Sequence, residues 1–204
     1  MIKLHALKYS RATRVLWLLE DLGKPCERVD YDRTEEFRAP EALSDVHPLG
    51  KSPVIEDNGE LIAESATILR YLVAKYDDHS HRPPPGTWDY WRHEALFDYV
   101  ESSFAPVAVK AIMPAFQGEQ IPEQAKTALD RQLAYIAREL GDGPLLFGTQ
   151  LTLADIQISY LLALLDKLGL LQGHPQIAAY WQALQSQPGY IAATDAAGPM
   201  APPD

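Results

Sequence analysis

Near the start of the chain, short apolar runs alternate with stretches of helical spacing. Residues 2–7 (IKLHAL) are short and apolar-rich, the pattern of a strand. Val15, Leu18, Leu19 and Leu22 then recur at spacings of three and four, which predicts a helix that begins after Ser10 and closes at Gly23. Residues 26–30 (CERVD) predict a second strand, so the opening segment reads as a βαβ unit. Residues 31–50 are polar and hold Pro40 and Pro48, which predicts loop with one short helix. Two short apolar runs, 53–56 and 60–63, flank Asp57-Asn58-Gly59, a strong hairpin turn signal. Glu64 and Ser65 open a third helix with Ile68, Leu69, Leu72, Val73 and Tyr76 on its apolar face.

The pattern changes after this helix. Residues 77–86 (DDHSHRPPPG) are polar, and their three consecutive prolines cannot continue a helix. From Trp88 onward no strand pattern is found, and 88–115, 122–140, 152–168 and 174–187 read as helices. Thr152 and Asp155 form a capping arrangement, with Leu151 and Ile156 placed as a hydrophobic staple. The expected organisation is an α/β domain at 1–77, a linker at 78–87, an all-helical domain at 88–193 and a flexible tail at 194–204. The order βαβ, loop-helix, ββα resembles the thioredoxin-like arrangement. The fold class is therefore α/β plus all-α, with a helical bundle following a thioredoxin-like domain.

Composition narrows the function classes. The 204 residues are 47% hydrophobic and 23% charged, the mix of a folded globular chain. The net charge is −10 with no basic run longer than a pair, so a nucleic-acid partner is not expected and an anionic ligand must be held by local groups. Residues 1–10 lack the apolar core of a signal peptide, and no apolar run is long enough to span a membrane. Neither a membrane partner nor an exported form is expected, and the expected location is cytoplasmic. Cys26 stands alone and reads as a small buried hydrophobe. The six histidines have no metal-ligand spacing, so no metal is expected; His79 and His81 read as solvated linker residues.

Three short segments carry candidate chemistry. Pro53 opens a strand behind Lys51 and Ser52; it reads either as an ordinary trans proline or as a cis bond that exposes the Ser52 backbone to an extended peptide. Ser65 reads as an N-cap, and equally as part of an anion site at a helix N-terminus, with Glu64 as the acceptor for an ammonium group. A carboxylate beside an ammonium is the α-amino-acid pattern. Ser10 reads as a cap of the first helix, and the same geometry would aim a hydroxyl and helix amides at a bound thiol, with Tyr9 and Arg11 as competing candidates.

In this order the segments resemble the cytosolic glutathione S-transferases of serine type, as found in bacteria and fungi. Ser10-Arg11-Ala12-Thr13-Arg14-Val15-Leu16 resembles their active-site stretch, and His47-Pro48-Leu49-Gly50-Lys51-Ser52-Pro53-Val54-Ile55 their cis-proline loop. Glu64-Ser65-Ala66-Thr67-Ile68-Leu69-Arg70-Tyr71-Leu72 resembles their Glu-Ser helix, and Thr152-Leu153-Ala154-Asp155 their capping box. The resemblance implies a homodimeric enzyme with glutathione as co-substrate and no prosthetic group. Ser10 would activate the thiol, Lys51 would meet the glycyl carboxylate, the Ser52 backbone with cis Pro53 the cysteinyl part, and Glu64 with Ser65 the γ-glutamyl end. A hydrophobic electrophile or a peroxide would be attacked in a pocket lined from Tyr9, Tyr99, Phe104 and Met113, although aromatics at helical spacing also read as core. Asp98 or Glu101 would reach the γ-glutamyl group of a partner subunit. A tyrosine-type mechanism is discarded because Ala6 stands at the tyrosine position, and Arg11 stands near the cysteine-type position. The alternative is a non-catalytic binding or scaffolding protein with the same fold.

Overall fold

The computed structural model describes residues 1–77 and 80–203. His79, the first residues of the expected linker and the last residue of the expected tail lie outside the described residues. The chain divides into two compact units, Met1–Asp78 with Gln187–Asp204, and His79–Ser186.

The first unit is built on a four-stranded sheet of order β2-β1-β3-β4. Strand β1 (Ile2–Leu7) leads through α1 (Ala12–Asp21) to β2 (Cys26–Tyr31), which lies parallel to it. Every apolar position that set the helical spacing of α1 before its end is buried, and Trp17 is fully enclosed. Gly23 closes the helix at φ 59°: its N–H bonds the Glu20 carbonyl and the Lys24 N–H bonds the Leu19 carbonyl. A short helix α2 (Ala42–Val46) precedes the hairpin of β3 (Val54–Asp57) and β4 (Glu60–Ala63). Asn58 and Gly59 both have positive φ, as a two-residue type I′ turn requires. Helix α3 (Ser65–Tyr76) buries Ile68, Leu69, Leu72 and Val73.

A last helix, α9 (Pro188–Ala197), also belongs to this unit and packs on α1. The expected flexible tail is thus helical as far as Ala197, and Met200 beyond it is buried. Close approach at Gly189 makes this possible, because a Cβ there would lie 2.1 Å from Asp21 Oδ1 and 2.7 Å from Trp17 Cδ1.

The second unit is helical: α4 (Trp88–Tyr99), α5 (Ala105–Phe116), α6 (Glu123–Leu140), α7 (Leu153–Lys167) and α8 (Pro175–Gln185). The single helix expected at 88–115 is interrupted by a π-helical segment, Val100–Phe104. Asp155, wholly buried, organises the start of α7. Its carboxylate accepts from the Thr152 amide and hydroxyl (2.9 and 2.7 Å), the Leu146 amide (3.0 Å) and the Tyr180 hydroxyl (2.8 Å). His81 is not solvated as the sequence suggested. It is buried, its ring pairs with Ser80 Oγ, and its carbonyl accepts the Leu153 N–H at 2.8 Å, a helix-start donor that needs a partner.

Candidate functional site

Strand register alone gathers the three candidate segments. His5 of β1 pairs with Val54 of β3, and Val54 pairs with Ala63 of β4. Because β3 runs antiparallel to both neighbours, the end of β1, the start of β3 and the end of β4 share one edge of the sheet. Ser10 follows the first, Ser52 and Pro53 precede the second, and Glu64 with Ser65 follow the third.

The Ser52–Pro53 peptide bond is cis. The Ser52 hydroxyl donates to the His5 carbonyl and accepts from the Leu7 N–H, each at 2.9 Å. That side chain is therefore turned onto β1 and ties the loop to the strand end that leads to Ser10. Lys51 beside it is exposed.

Glu64 occupies the cap of α3 with φ 68° and ψ 114°, and its carbonyl accepts the Ile68 N–H at 2.9 Å. A glutamate held at positive φ costs roughly 1–3 kcal/mol, and such strain collects at ligand-binding sites. The cap is thus Glu64, with Ser65 as the first residue inside the helix and buried. Glu64 is exposed, and the first amides of α3, which have no partner within the helix, follow it directly in the chain.

Ser10 is buried. Its hydroxyl donates to the Leu7 carbonyl at 2.7 Å and accepts the Ala12 N–H at 3.1 Å. The cap position of α1 is Arg11, and Ser10, one residue before it, accepts the first helical amide, which places the hydroxyl at the N-terminal end of α1 while its one proton rests on Leu7. Tyr9 before it has φ 55°. Arg33 and Phe37, which the sequence left in a polar loop, lie against this turn. The Arg33 guanidinium donates to the Lys8 and Tyr9 carbonyls, and the Phe37 ring stacks on Tyr9. No spacing signal marks either residue, because their roles come from the loop's path and not from a periodic face.

The other expected site residues are placed separately. Tyr9 belongs to the first unit, and Tyr99, Phe104 and Met113 to the second. Tyr99 donates its hydroxyl to Gln132 and stacks on Phe104, which is fully buried among the helices; Met113 is 50% exposed. Burial holds the Tyr99 phenol neutral, well above the usual tyrosine range. Asp98 lies at the end of α4 and Glu101 in the π-helical segment. Cys26 is half-buried at the start of β2, less enclosed than expected; partial burial, then the nearby Glu20 carboxylate, push its thiol up and away from nucleophilic chemistry. Among the described residues no group of three or more His, Cys, Asp or Glu is placed to hold a metal, and no helix is long and apolar enough to cross a membrane.

Residues 1–74 match the family described as "Glutathione S-transferase, N-terminal domain", and residues 100–188 match its C-terminal domain. The chain is 32% identical over 176 residues to glutathione S-transferase 3 of Schizosaccharomyces pombe, covering 78% of this chain and 72% of the relative. It is 31% identical to a glutathione S-transferase of Arabidopsis thaliana, covering 93% of this chain and 94% of the relative. The solved structure of a glutathione S-transferase from Actinobacillus pleuropneumoniae superposes with a TM-score of 0.87 at 28% identity, over 98% of this chain and 94% of that one.

Proposed function

Because the chain belongs to the glutathione S-transferase family, we propose that the shared edge of its sheet binds glutathione in one direction, with the thiol at Ser10. The enzyme is a glutathione transferase; the residue roles below are our reading. The observation that carries it is the register His5, Val54, Ala63, which brings Ser10, Ser52–Pro53 and Glu64–Ser65 to one edge of the sheet.

Lys51 meets the glycyl carboxylate at the exposed end of the loop. The peptide groups of Ser52 pair with the cysteinyl residue as a short added strand, since its side chain is already spent on β1. The α3 amides and Ser65 take the γ-glutamyl carboxylate, and Glu64 takes the ammonium. The thiol then lies at Ser10 and the start of α1.

A free thiol of pKa about 8.5 is only a few per cent ionised at pH 7, and each unit of lowering is worth about 1.4 kcal/mol. The Ser10 hydroxyl already accepts the Ala12 N–H, which polarises its O–H and makes it a stronger donor. On ligand binding its proton turns from the Leu7 carbonyl to the sulfur. A charge-assisted bond replaces a neutral one, and the gain of roughly 1 kcal/mol or more favours the anion. The thiol proton passes to water, the thiolate sulfur bonds to an electrophilic carbon, and the leaving group departs with its electron pair; on a peroxide the sulfur bonds to one oxygen as the O–O bond breaks and the other oxygen leaves with the electron pair.

The test is conjugation of glutathione to a chlorodinitrobenzene. Ser10→Ala is expected to lower kcat/KM by about ten- to a hundredfold, the loss of one charge-assisted bond. Activity equal to wild type would remove Ser10 from the mechanism.

A further inference from the structure

The turn that carries Ser10 is held from another loop. Arg33, just past β2, donates from Nε to the Lys8 carbonyl at 3.0 Å, from Nη2 to the Tyr9 carbonyl at 2.7 Å and from Nη1 to the Phe37 carbonyl at 3.0 Å. Its guanidinium carbon sits 4.4 Å from the centre of the Phe37 ring. That ring lies nearly parallel to Tyr9, 6.3 Å centre to centre. Tyr9 and Phe37 have φ of 55° and 61°. Each aromatic residue in the left-handed region costs roughly 1–2 kcal/mol, so something must hold both there. The loop of Phe37 is closed on itself by the Thr34 N–H to the Arg38 carbonyl (2.9 Å) and the Phe37 N–H to the Thr34 carbonyl (2.9 Å). It forms a stiff abutment, and Arg33 joins the turn to it.

Adjacent peptide carbonyls, Lys8 and Tyr9, thus converge on one guanidinium immediately before the residue assigned to the thiol. A planar fork fixes three acceptors at set angles; an ammonium group offers one charge with no fixed direction. Thiol activation depends on donor placement to within a few tenths of an ångström. We propose that Arg33 is a positioning residue for thiol activation: by clamping the Lys8 and Tyr9 carbonyls it sets the place of the Ser10 hydroxyl and the first amides of α1. This rests on the reading that Ser10 faces the glutathione thiol.

Arg33→Ala and Arg33→Lys are compared with wild type in the full-length protein, with circular dichroism to confirm folding. The first readout is hydrogen exchange of the Ala12 amide, which bonds Ser10 Oγ and needs no catalysis. The second is the pH profile of kcat for glutathione conjugation, which reports the thiol in the complex. Both variants are expected to speed Ala12 exchange by about tenfold and to move the acid limb of the profile up by about one unit, with KM for glutathione little changed. Lysine gives no rescue, because direction matters and not charge. Wild-type exchange at Ala12 in Arg33→Ala overturns the proposal. So does a loss confined to KM that Arg33→Lys restores, since that marks a direct ligand of a glutathione carboxylate. A wild-type protein that binds glutathione without ionising it ends the Ser10 reading, and Ala12 exchange still decides whether Arg33 sets the turn. Should Arg33→Ala fail to fold, Arg33→Lys carries both readouts.

Discussion

One oxygen of Asp57, at the end of β3, accepts from Lys75 at 2.5 Å, from Tyr71 at 2.8 Å and from Tyr76 at 3.1 Å. Asp57 is buried, and the three donors tie the hairpin to α3, whose first residues form part of the edge proposed to bind glutathione. The Lys75 bond, aided by both phenols and opposed by burial, holds the carboxyl below its usual range. A depressed folded-state pKa adds stability above the unfolded value, near 3.9, and that stability is lost as pH falls through the folded value. Asp57→Asn keeps the shape and removes the charge. It is expected to cost about 1–3 kcal/mol in denaturant unfolding at pH 7, with the gap from wild type closing below about pH 4. An equal gap at both pH values would show that the carboxylate charge is not what holds the hairpin. Little of this cluster is legible in the sequence. Asp57 reads there as a turn residue, and only the folded hairpin brings it onto the side chains of α3.

At the level of elements, α9 shows where pattern reading stops. Its buried positions include Gly189 and Ala193, small residues that make no apolar stripe, so the helix is held by α1 rather than announced by its own periodicity. The π-helical segment between α4 and α5 is hidden for a related reason, because the buried Phe97, Val100 and Phe104 keep spacings of three and four across it. By contrast β1, α1 and the Asn58-Gly59 hairpin follow directly from spacing and turn chemistry, since each is specified by its own residues. The packing of α9 makes its own prediction. Alanine favours a helix over glycine by about 1 kcal/mol, but a Cβ at 189 meets Asp21 and the enclosed Trp17, and overpacking typically costs about 1–3 kcal/mol. Gly189→Ala is therefore expected to lower the denaturant midpoint. Gly173→Ala, where a Cβ meets nothing within 4 Å, serves as its control. A higher midpoint for Gly189→Ala would mean that α9 can shift away from α1.

For the molecule as a whole, the proposed site rests on the sheet bringing distant residues to one edge. Ser10, Ser52 and Glu64 lie far apart in sequence, and each alone admits an ordinary reading as a cap or a strand opening. Their order was visible in the chain; their meeting depends on strand register, and the strain at Glu64 and Tyr9 appears only in the folded backbone. Arg33 was invisible for the same reason, because its partners are backbone carbonyls of another loop. The most direct measurement is a pH titration of the ultraviolet absorbance of glutathione bound to the wild-type enzyme, which reads the thiolate itself. The bound thiol is expected to titrate at least one unit below the free value of about 8.5. Glutathione that binds tightly and titrates with its free pKa would contradict the assignment of this edge as a thiol-activating site.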